Sequence, residues 1–367
     1  MSYRRLGVAF LAFTLTGLLV PAWASAAKPA PSVPAGKPAD MNKPVQVFIL
    51  LGQSNMVGLG HIGPVTKKES LEYAVKTAKK YPYLVDAAGN WVAWRNIRFV
   101  RVMDGRGGRM ALFNNEPMTV ARCRTIGPEF GIAHEVGDYI ASHSDAPVMI
   151  LKSCIGNRSI GWDLLPPGSK GYDFTEKDRK TGKEVTYTYA GYKQSPMKWV
   201  KGTTPKPIGW YAGKQYDDDV ANAKTVLADL KKYYPGATKY EVAGFFFWQG
   251  EKDCGDVGLS SHYEENLVNF IKSVRKDFNA PNAPFVMATL GEASKGISGN
   301  EGKVLEAQLA VDGTSGKYPE FKGNVGTVYS HPMAQGGSGN GHYGGKAEVY
   351  MDVGQAMGQE MVKLLGK

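Results

Sequence analysis

Two short apolar segments constrain the fold of this chain more than any other feature of its sequence. Residues 45–51 (VQVFILL) and 242–248 (VAGFFFW) are almost entirely apolar and are rich in β-branched or aromatic side chains. Such segments are short for a helix, and their composition favours strands buried on both faces, as in a parallel sheet. Each segment runs into polar residues, GQSN after the first and QGEKD after the second. Since carboxyl ends of parallel strands share one edge of a sheet, the two polar clusters are predicted to lie together.

Strand patterns alternate with helical patterns along most of the remaining chain, which predicts one large α/β domain rather than two domains. Residues 161–216 break this alternation and are interpreted as an insertion. The predicted helices are 128–143, 220–234, 262–278, one near 304–311 and an amphipathic helix at the C-terminus, and the predicted strands are 45–51, 147–152, 242–248, 285–290 and 325–329.

The first 44 residues are predicted to lie outside this domain. Arg4 and Arg5 precede an uncharged run, and the small residues at 24–26 have the spacing of a signal-peptidase site, so residues 1–26 are predicted to be a signal peptide. A membrane anchor is the alternative, but the run is short for a spanning helix. Residues 27–44 are rich in Ala, Pro and Lys, as in a flexible linker, and 45–367 form the predicted domain. These features predict a secreted or periplasmic protein without stable membrane insertion after cleavage.

Charge bears on whether the protein binds nucleic acid, and cysteine content bears on the redox compartment. The formal net charge is +10, but the Lys and Arg residues are scattered, which argues against a dedicated nucleic-acid groove. Three cysteines, Cys123, Cys154 and Cys254, leave at least one unpaired. One disulfide is compatible with an oxidising compartment, and Cys154 with Cys254 is the favoured pair because both follow predicted strands.

The insertion at 161–216 is rich in aromatic residues among polar and Gly/Pro-rich sequence. Tyr189, Trp199 and Trp210 are its candidate substrate-binding residues, because spread aromatic side chains suit stacking against sugar rings. The alternative is that these aromatic residues form a small core of the insertion itself.

Several polar residues are candidates for chemistry at the predicted sheet edge. Ser54 follows the bend allowed by Gly52 and is a candidate nucleophile, the alternative being an ordinary Gly-Ser turn. Gly156 and Asn157 follow the strand at 147–152, where exposed backbone N–H groups could face an anion. His342 lies in a glycine-rich loop before the terminal helix. A phosphate-binding loop is disfavoured there, because Ala347 follows Lys346 where Ser or Thr would be needed.

Three motifs in order, GQSNM at 52–56, WQGE at 248–251 and HY at 342–343, resemble the sialate O-acetylesterase-like branch of the SGNH hydrolases, which is similar to carbohydrate esterase family six. The resemblance covers nearly the whole chain after the signal peptide. It implies a three-layer α/β/α sandwich with a mainly parallel, flavodoxin-like sheet. It also implies an acetylated carbohydrate as substrate, removal of its O-acetyl groups, and neither a metal nor an organic cofactor.

The resemblance assigns roles residue by residue. Ser54 matches the nucleophile and His342 the general base, while the Ser54 N–H, the Gly156 N–H and the Gln249 side chain match the oxyanion hole, with Asn157 as a weaker candidate. SGNH enzymes usually carry Asp three residues before the histidine, and here that position is Gly339. Glu251 is the favoured substitute as the acid beside His342, and Asp253 and Glu129 are secondary candidates.

Two other functions stay open at this point. The chain could be a non-catalytic carbohydrate-binding protein on an esterase-like scaffold, because a fold does not establish activity and the usual Asp is missing. A lipase or thioesterase ranks third, since the insertion is polar and aromatic rather than apolar.

Overall fold

The centre of the molecule is a seven-stranded sheet. The computed structural model describes residues 34–104, 110–178, 181–334 and 342–366. Within these residues the sheet consists of β1 (Val45–Gly52), β2 (Ile97–Asp104), β3 (Met110–Pro117), β4 (Val148–Ser153), β5 (Tyr240–Trp248), β6 (Phe285–Ala288) and β7 (Val325–Val328).

The strand order is β7-β6-β5-β1-β4-β2-β3, and every neighbouring pair is parallel except β2 and β3. The predicted α/β fold with a mostly parallel sheet is therefore confirmed. β1 lies between β4 and β5, with Gly52 paired to Trp248 and Leu50 paired to Lys152. The carboxyl ends of β1, β4 and β5 consequently lie side by side.

Helices cover both faces of the sheet, which explains why the central strands are apolar throughout. Val47, Ile49 and Leu51 of β1 pack on one face, and Phe48 and Leu50 pack on the other. The first face is covered by α2 (Lys214–Ala228), α3 (Tyr263–Asp277) and α4 (Gly299–Ala310), and the second by α1 (Glu129–His143) and α5 (Ala347–Leu365).

The remaining elements are short. Helical turns are Ser54–Val57, Tyr73–Thr77, Pro82–Leu84, Val120–Arg122, Leu230–Tyr233, Glu251–Cys254, Val257–Ser261, Pro319–Phe321 and His342–Gly345. Two-residue strands pair Pro34–Ala35 with Ala93–Trp94 and Gly60–His61 with Thr125–Ile126. Residues 161–216, the predicted insertion, contain a three-stranded antiparallel sheet of Tyr172–Lys177, Glu184–Tyr189 and Lys198–Val200.

Most predicted elements are confirmed, with shifted ends. The helix predicted at 220–234 begins earlier, at Lys214, so that Asp217 lies in its first turn, and it breaks before Leu230–Tyr233. Strands β2 and β3 were not predicted. The predicted signal peptide lies outside the described residues. Residues 34–44 are part of the predicted flexible linker. They contact the rest of the chain, since Lys37 pairs with Asp145 at 2.9 Å and the Asp40 N–H donates to the Asp145 carbonyl.

The favoured disulfide does not form. Cys123, Cys154 and Cys254 are all free thiols. Cys154 is buried in the cluster on the α1 and α5 side, whereas Cys254 packs against the cluster on the opposite face. Both residues follow strands as predicted, but the sheet separates their side chains.

Among the described residues, no helix is both long and apolar enough to cross a membrane.

Candidate active site

A cavity of about 710 Å³ opens at the carboxyl ends of β1, β4 and β5. Its walls combine residues that follow these strands with Met197 and with His342 of the C-terminal segment. The cavity is lined by Gln53, Ser54, Asn55, Gly156, Asn157, Met197, Glu251, Lys252, Gly255, Asp256, Leu259, Glu292 and His342. Five residues assigned to the site from the sequence, Ser54, Gly156, Asn157, Glu251 and His342, are thus brought together.

Ser54 owes its position to the turn that follows β1. Gly52 has φ +143°, and a Cβ there would lie 2.3 Å from the Trp248 carbonyl oxygen, so this close approach to β5 requires glycine. The chain then enters the helical turn Ser54–Val57, with Ser54 as its first residue. First-turn N–H groups lack partners within a helix, and the Ser54 N–H has no acceptor in the described part of the chain.

Gly156 brings a second backbone donor close to Ser54. A Cβ built on Gly156 would lie 3.5 Å from the Ser54 Cβ. Within the described ranges, the N–H groups of Gly156 and of Asn157, whose φ is +58°, also have no acceptor. The cavity wall therefore offers unpaired backbone donors beside the Ser54 side chain, an arrangement that can stabilise an oxyanion.

Glu251 binds the residues on both sides of Ser54. Its carboxylate accepts hydrogen bonds from Gln53 Nε2 and from Asn55 Nδ2, the latter at 2.6 Å. Burial, followed by repulsion from Glu292, raises the pKa of Glu251 to about 7. The carboxylate thus anchors the segment that carries Ser54.

His342 lines the same cavity and is anchored through its neighbour Tyr343. Both residues have left-handed backbone angles, with φ of +56° and +54°. The buried Tyr343 ring stacks on Trp248 with centroids 5.9 Å apart, and its hydroxyl accepts from Asn55 Nδ2 at 3.0 Å. Burial lowers the pKa of His342 below its ordinary value of 6.5, which favours the neutral imidazole that a general base needs.

The predicted hydrogen bond between Glu251 and His342 is not present in the described structure. The Glu251 oxygens accept from Gln53 and Asn55 instead. Gly339, which replaces the usual Asp, lies outside the described residues.

Gln249 does not face the cavity, which also differs from the sequence-based assignment. Both protons of its amide nitrogen are used, by the Arg158 carbonyl at 2.8 Å and by Asp253 Oδ2 at 2.6 Å. Its oxygen accepts from the Tyr263 hydroxyl at 2.9 Å, and the side chain is fully buried. The amide therefore has no donor left for an oxyanion.

Asp253 and Glu129 are likewise buried away from the cavity. Asp253 accepts from the N–H groups of Ile160 and Gly161 at 3.0 and 2.9 Å, which ties down the loop after β4. Burial raises the pKa of Asp253 to about 7. Glu129 pairs with the buried Lys152 at 2.6 Å, and Lys152 also donates to the Val57 carbonyl at 3.1 Å. Asp253 therefore holds the loop after β4, and Glu129 holds Lys152, but neither carboxylate lines the cavity.

The predicted aromatic residues of the insertion do not line the cavity. Tyr189 is only 1 % exposed and donates to Asp256 at 2.7 Å, so its ring is not available to stack on a sugar. Trp199 and Trp210 pack against a small cluster of Trp162, Leu165, Ala190 and Ala212. The alternative interpretation, a small core of the insertion, is confirmed for Trp199 and Trp210.

Some cavity residues were missed by the sequence analysis. Glu292 follows β6 just as Ser54 follows β1, so the strand-end rule could have identified it. Met197 and Asp256 reach the cavity through tertiary contacts of the insertion, for which the sequence gives no signal. In the described part of the chain, no group of three or more His, Cys, Asp or Glu side chains is arranged to hold a metal ion.

Three solved structures are similar to the chain at low sequence identity. A protein from Arabidopsis thaliana is 18 % identical, with a TM-score of 0.46 over 87 % of this chain and 98 % of that one. A carbohydrate acetylesterase from Xanthomonas citri is 14 % identical, with a TM-score of 0.42 over 85 % of this chain and 54 % of that one. NanS is 15 % identical, with a TM-score of 0.40 over 80 % of this chain and 78 % of that one. The chain spans about half the length of the Xanthomonas enzyme.

Sequence comparison finds a family similar to the C-terminal part of the chain. No curated protein matches the chain significantly by sequence. Residues 185–363 match the model of the carbohydrate esterase family described as sialic acid-specific acetylesterase. This range contains two of the three motifs that carry the resemblance, WQGE and HY, and GQSNM precedes it. Over residues 185–363, the chain is therefore similar to the sialic acid-specific acetylesterase family of carbohydrate esterases.

Proposed function

We propose that this protein is a serine esterase that removes O-acetyl groups from carbohydrates through an acetyl-Ser54 intermediate. One observation carries the proposal. Ser54, His342 and the N–H groups of Ser54, Gly156 and Asn157, which have no acceptor among the described residues, border a single cavity at the strand ends where reacting groups of α/β enzymes collect. The match of residues 185–363 to a carbohydrate esterase family supports an acetylated carbohydrate as the substrate.

The reaction follows from the needs of acyl transfer. Neutral His342 accepts the Ser54 hydroxyl proton as Oγ bonds to the acetyl carbon, and the negative charge that develops on the carbonyl oxygen is stabilised by the N–H groups of Ser54 and Gly156. Collapse breaks the bond to the sugar oxygen, which takes the proton from His342 and leaves. Water then attacks acetyl-Ser54 by the same route, releasing acetate and restoring the hydroxyl.

We assign Glu251 a positioning role rather than that of a hydrogen-bonded partner of His342. Its two hydrogen bonds hold Gln53 and Asn55, and Asn55 in turn binds the hydroxyl of Tyr343. One carboxylate thereby supports both the segment of the nucleophile and the segment of the base. Gln249 and Asp253 act as structural supports in this scheme.

The same proposal covers the fold family and the location. Helices on both faces of a mostly parallel sheet support the three-layer α/β/α arrangement of SGNH hydrolases, with an insertion at about 161–216. Residues 1–26 are proposed as a signal peptide that directs the protein to the periplasm or the medium. N-terminal sequencing of protein recovered from those fractions tests the cleavage site, and an intact N-terminus there would contradict it.

The decisive test is Ser54→Ala, assayed with an aryl acetate and with a panel of acetylated glycans. We expect loss of acetate release with an unchanged melting temperature, because a strand-end hydroxyl contributes little packing. Ser142→Ala is the matched control, since Ser142 is an exposed serine on α1. Retained turnover in Ser54→Ala would exclude the proposed nucleophile. Glycan binding by the wild-type protein without turnover would instead identify a non-catalytic carbohydrate-binding protein.

A further inference from the structure

A second cavity, of about 310 Å³, lies at the amino ends of β2 and β4. Ile97 borders it at the start of β2, and Asp145 borders it just before β4. Its lining also includes Lys37, Tyr83, Trp94, Asn96, His134 and Asp138. The active-site cavity lies at the carboxyl end of β4, so the length of that strand, roughly 17 Å, separates the two. Among the described residues none lines both cavities, and the second cavity is therefore a separate site.

Three neighbouring aromatic rings line the second cavity. The rings of Tyr83 and His134 stack with centroids 3.6 Å apart, and the centroids of Tyr83 and Trp94 are 6.2 Å apart. All three side chains belong to half-buried residues, so part of each remains exposed. Aromatic side chains of this kind combine a large apolar surface with a polar edge, which suits the apolar C–H face and the hydroxyl groups of a sugar ring.

Several polar groups of this lining have no partner in the described part of the chain. The Tyr83 hydroxyl is buried and forms no hydrogen bond there. The hydrogen bonds of Asn96 are accepted by its backbone carbonyl, from the Val148 N–H and the Tyr234 hydroxyl, so its side-chain amide is unused. The Trp94 indole N–H likewise has no acceptor among the described residues. A ligand rich in hydroxyl groups would supply the missing partners.

The charges of the second cavity favour a neutral ligand. Lys37 pairs with Asp145 at 2.9 Å, and Asp138 lies 3.4 Å from His134 Nδ1. The described lining contains no other Lys, Arg, Asp or Glu, so no unpaired Lys or Arg is present to bind an anion. It also contains no Ser, Thr or Cys that could form an acyl intermediate. The site is therefore equipped for binding rather than for acyl transfer.

We propose that the second cavity is a non-catalytic site that binds neutral sugar units of a glycan. The three rings supply apolar contact, and the amide of Asn96 and the indole N–H of Trp94 supply hydrogen bonds. The volume is close to the lower end for small-molecule pockets, roughly 300 Å³, so the cavity encloses a short stretch of a glycan. This site goes beyond the proposed function, because it would hold the polymer and so raise the local concentration of its ester groups at the other end of the sheet.

The test is isothermal titration calorimetry of the whole protein with four unacetylated tetrasaccharides, which are cellotetraose, xylotetraose, mannotetraose and galactotetraose. These probes carry no ester, so binding is measured without turnover. We expect at least one of them to bind at millimolar concentration or below. Trp94→Ala and Asn96→Ala should each weaken that binding by about tenfold or more. Trp91→Ala is the matched control, because Trp91 packs against the same core cluster as Trp94 but does not line the cavity.

Thermal unfolding of each variant is measured in parallel, because Trp94 also packs against the core. Should Trp94→Ala fail to fold, Asn96→Ala decides, since its side-chain amide has no partner among the described residues. Binding that neither variant weakens would overturn the inference, and so would the absence of binding by all four probes. Neither result involves acetate release, so the esterase proposal is tested separately by Ser54→Ala.

Discussion

At the scale of single residues, the site is organised by what surrounds Ser54 rather than by Ser54 alone. Gln53 and Asn55 are buried amides on either side of it, and both donate to Glu251. A buried carboxylate that accepts two amide donors is held in one orientation, and so is the chain segment that it binds. The GQSN sequence therefore specifies an anchored turn as well as a nucleophile.

The first residue-scale prediction concerns the pH dependence of activity. The base must be neutral, and burial lowers the pKa of His342 below 6.5. Activity should therefore persist as the pH falls and should be half lost only below about pH 6.5, the usual midpoint of histidine. The measurement is kcat/KM for an aryl acetate between about pH 4 and 8. An acid limb centred well above pH 7 would contradict a desolvated histidine base.

The second residue-scale prediction separates two roles for Glu251. In Glu251→Gln, one of the two amide donors faces another N–H group, so we expect kcat to fall about 10- to 100-fold through misplacement of Ser54. The pH of the acid limb should hardly move if Glu251 positions Gln53 and Asn55.

If Glu251 instead stabilised the protonated His342, losing its charge would shift the acid limb down by about one pH unit or more. Glu320→Gln is the control, because Glu320 is an exposed carboxylate that pairs with Lys272 and does not line the cavity. A large downward shift in Glu251→Gln alone would therefore restore Glu251 as the direct partner of the histidine.

At the scale of secondary structure elements, the two helices on one face of the sheet cross at glycines. A Cβ on Gly354 of α5 would lie 2.2 Å from the Pro128 carbonyl oxygen at the start of α1, and one on Gly131 of α1 would lie 2.5 Å from the Met351 carbonyl oxygen. This close crossing matters for the site because α5 follows directly on the segment that carries His342.

Gly354→Ala should therefore destabilise the protein even though alanine is the better helix former. Overpacking against the backbone costs about 1–3 kcal/mol of stability. Replacing glycine by alanine in a helix gains only about 1 kcal/mol, so we expect a net loss over most of that range. Gly209→Ala is the control, since a Cβ at Gly209 would meet no atom within 4 Å. A thermal unfolding midpoint for Gly354→Ala equal to or above wild type would contradict this packing.

The sequence predicted the buried central strands but not the strands β2 and β3 near one edge of the sheet. β1 and β5 are buried on both faces, so their patterns are continuous and apolar. In β2 (IRFVRVMD) the apolar run is interrupted by Arg98 and Arg101, and β3 (MALFNNEP) is a half-exposed edge strand that includes polar residues. Edge strands lack the strong hydrophobic pattern on which such prediction depends.

At the scale of the whole molecule, the strand order creates the site. β5, β1 and β4 are neighbours in space although about 90 to 190 residues separate them in sequence. After β1 the chain forms β2, β3 and β4 on one side of β1, and it then forms β5, β6 and β7 on the other side. The polar ends of β1, β4 and β5 therefore meet in the crevice where the strand order reverses.

The sequence by itself predicted the α/β fold class, the strands and helices with strong periodicity, and the position of Ser54, Gly156, Asn157 and Glu251 at one sheet edge, whereas His342 was identified by resemblance to a known family. These follow from local patterns and from the rule that parallel strands end together. Only the tertiary structure decided where the polar side chains point. The Gln249 amide turned out to be bound by Arg158 and Asp253, Glu251 by Gln53 and Asn55, and the Trp199 ring by the core of the insertion. Partners distant in sequence leave no local pattern, because a hydrogen bond or a packed ring depends on atoms that only the complete fold brings together.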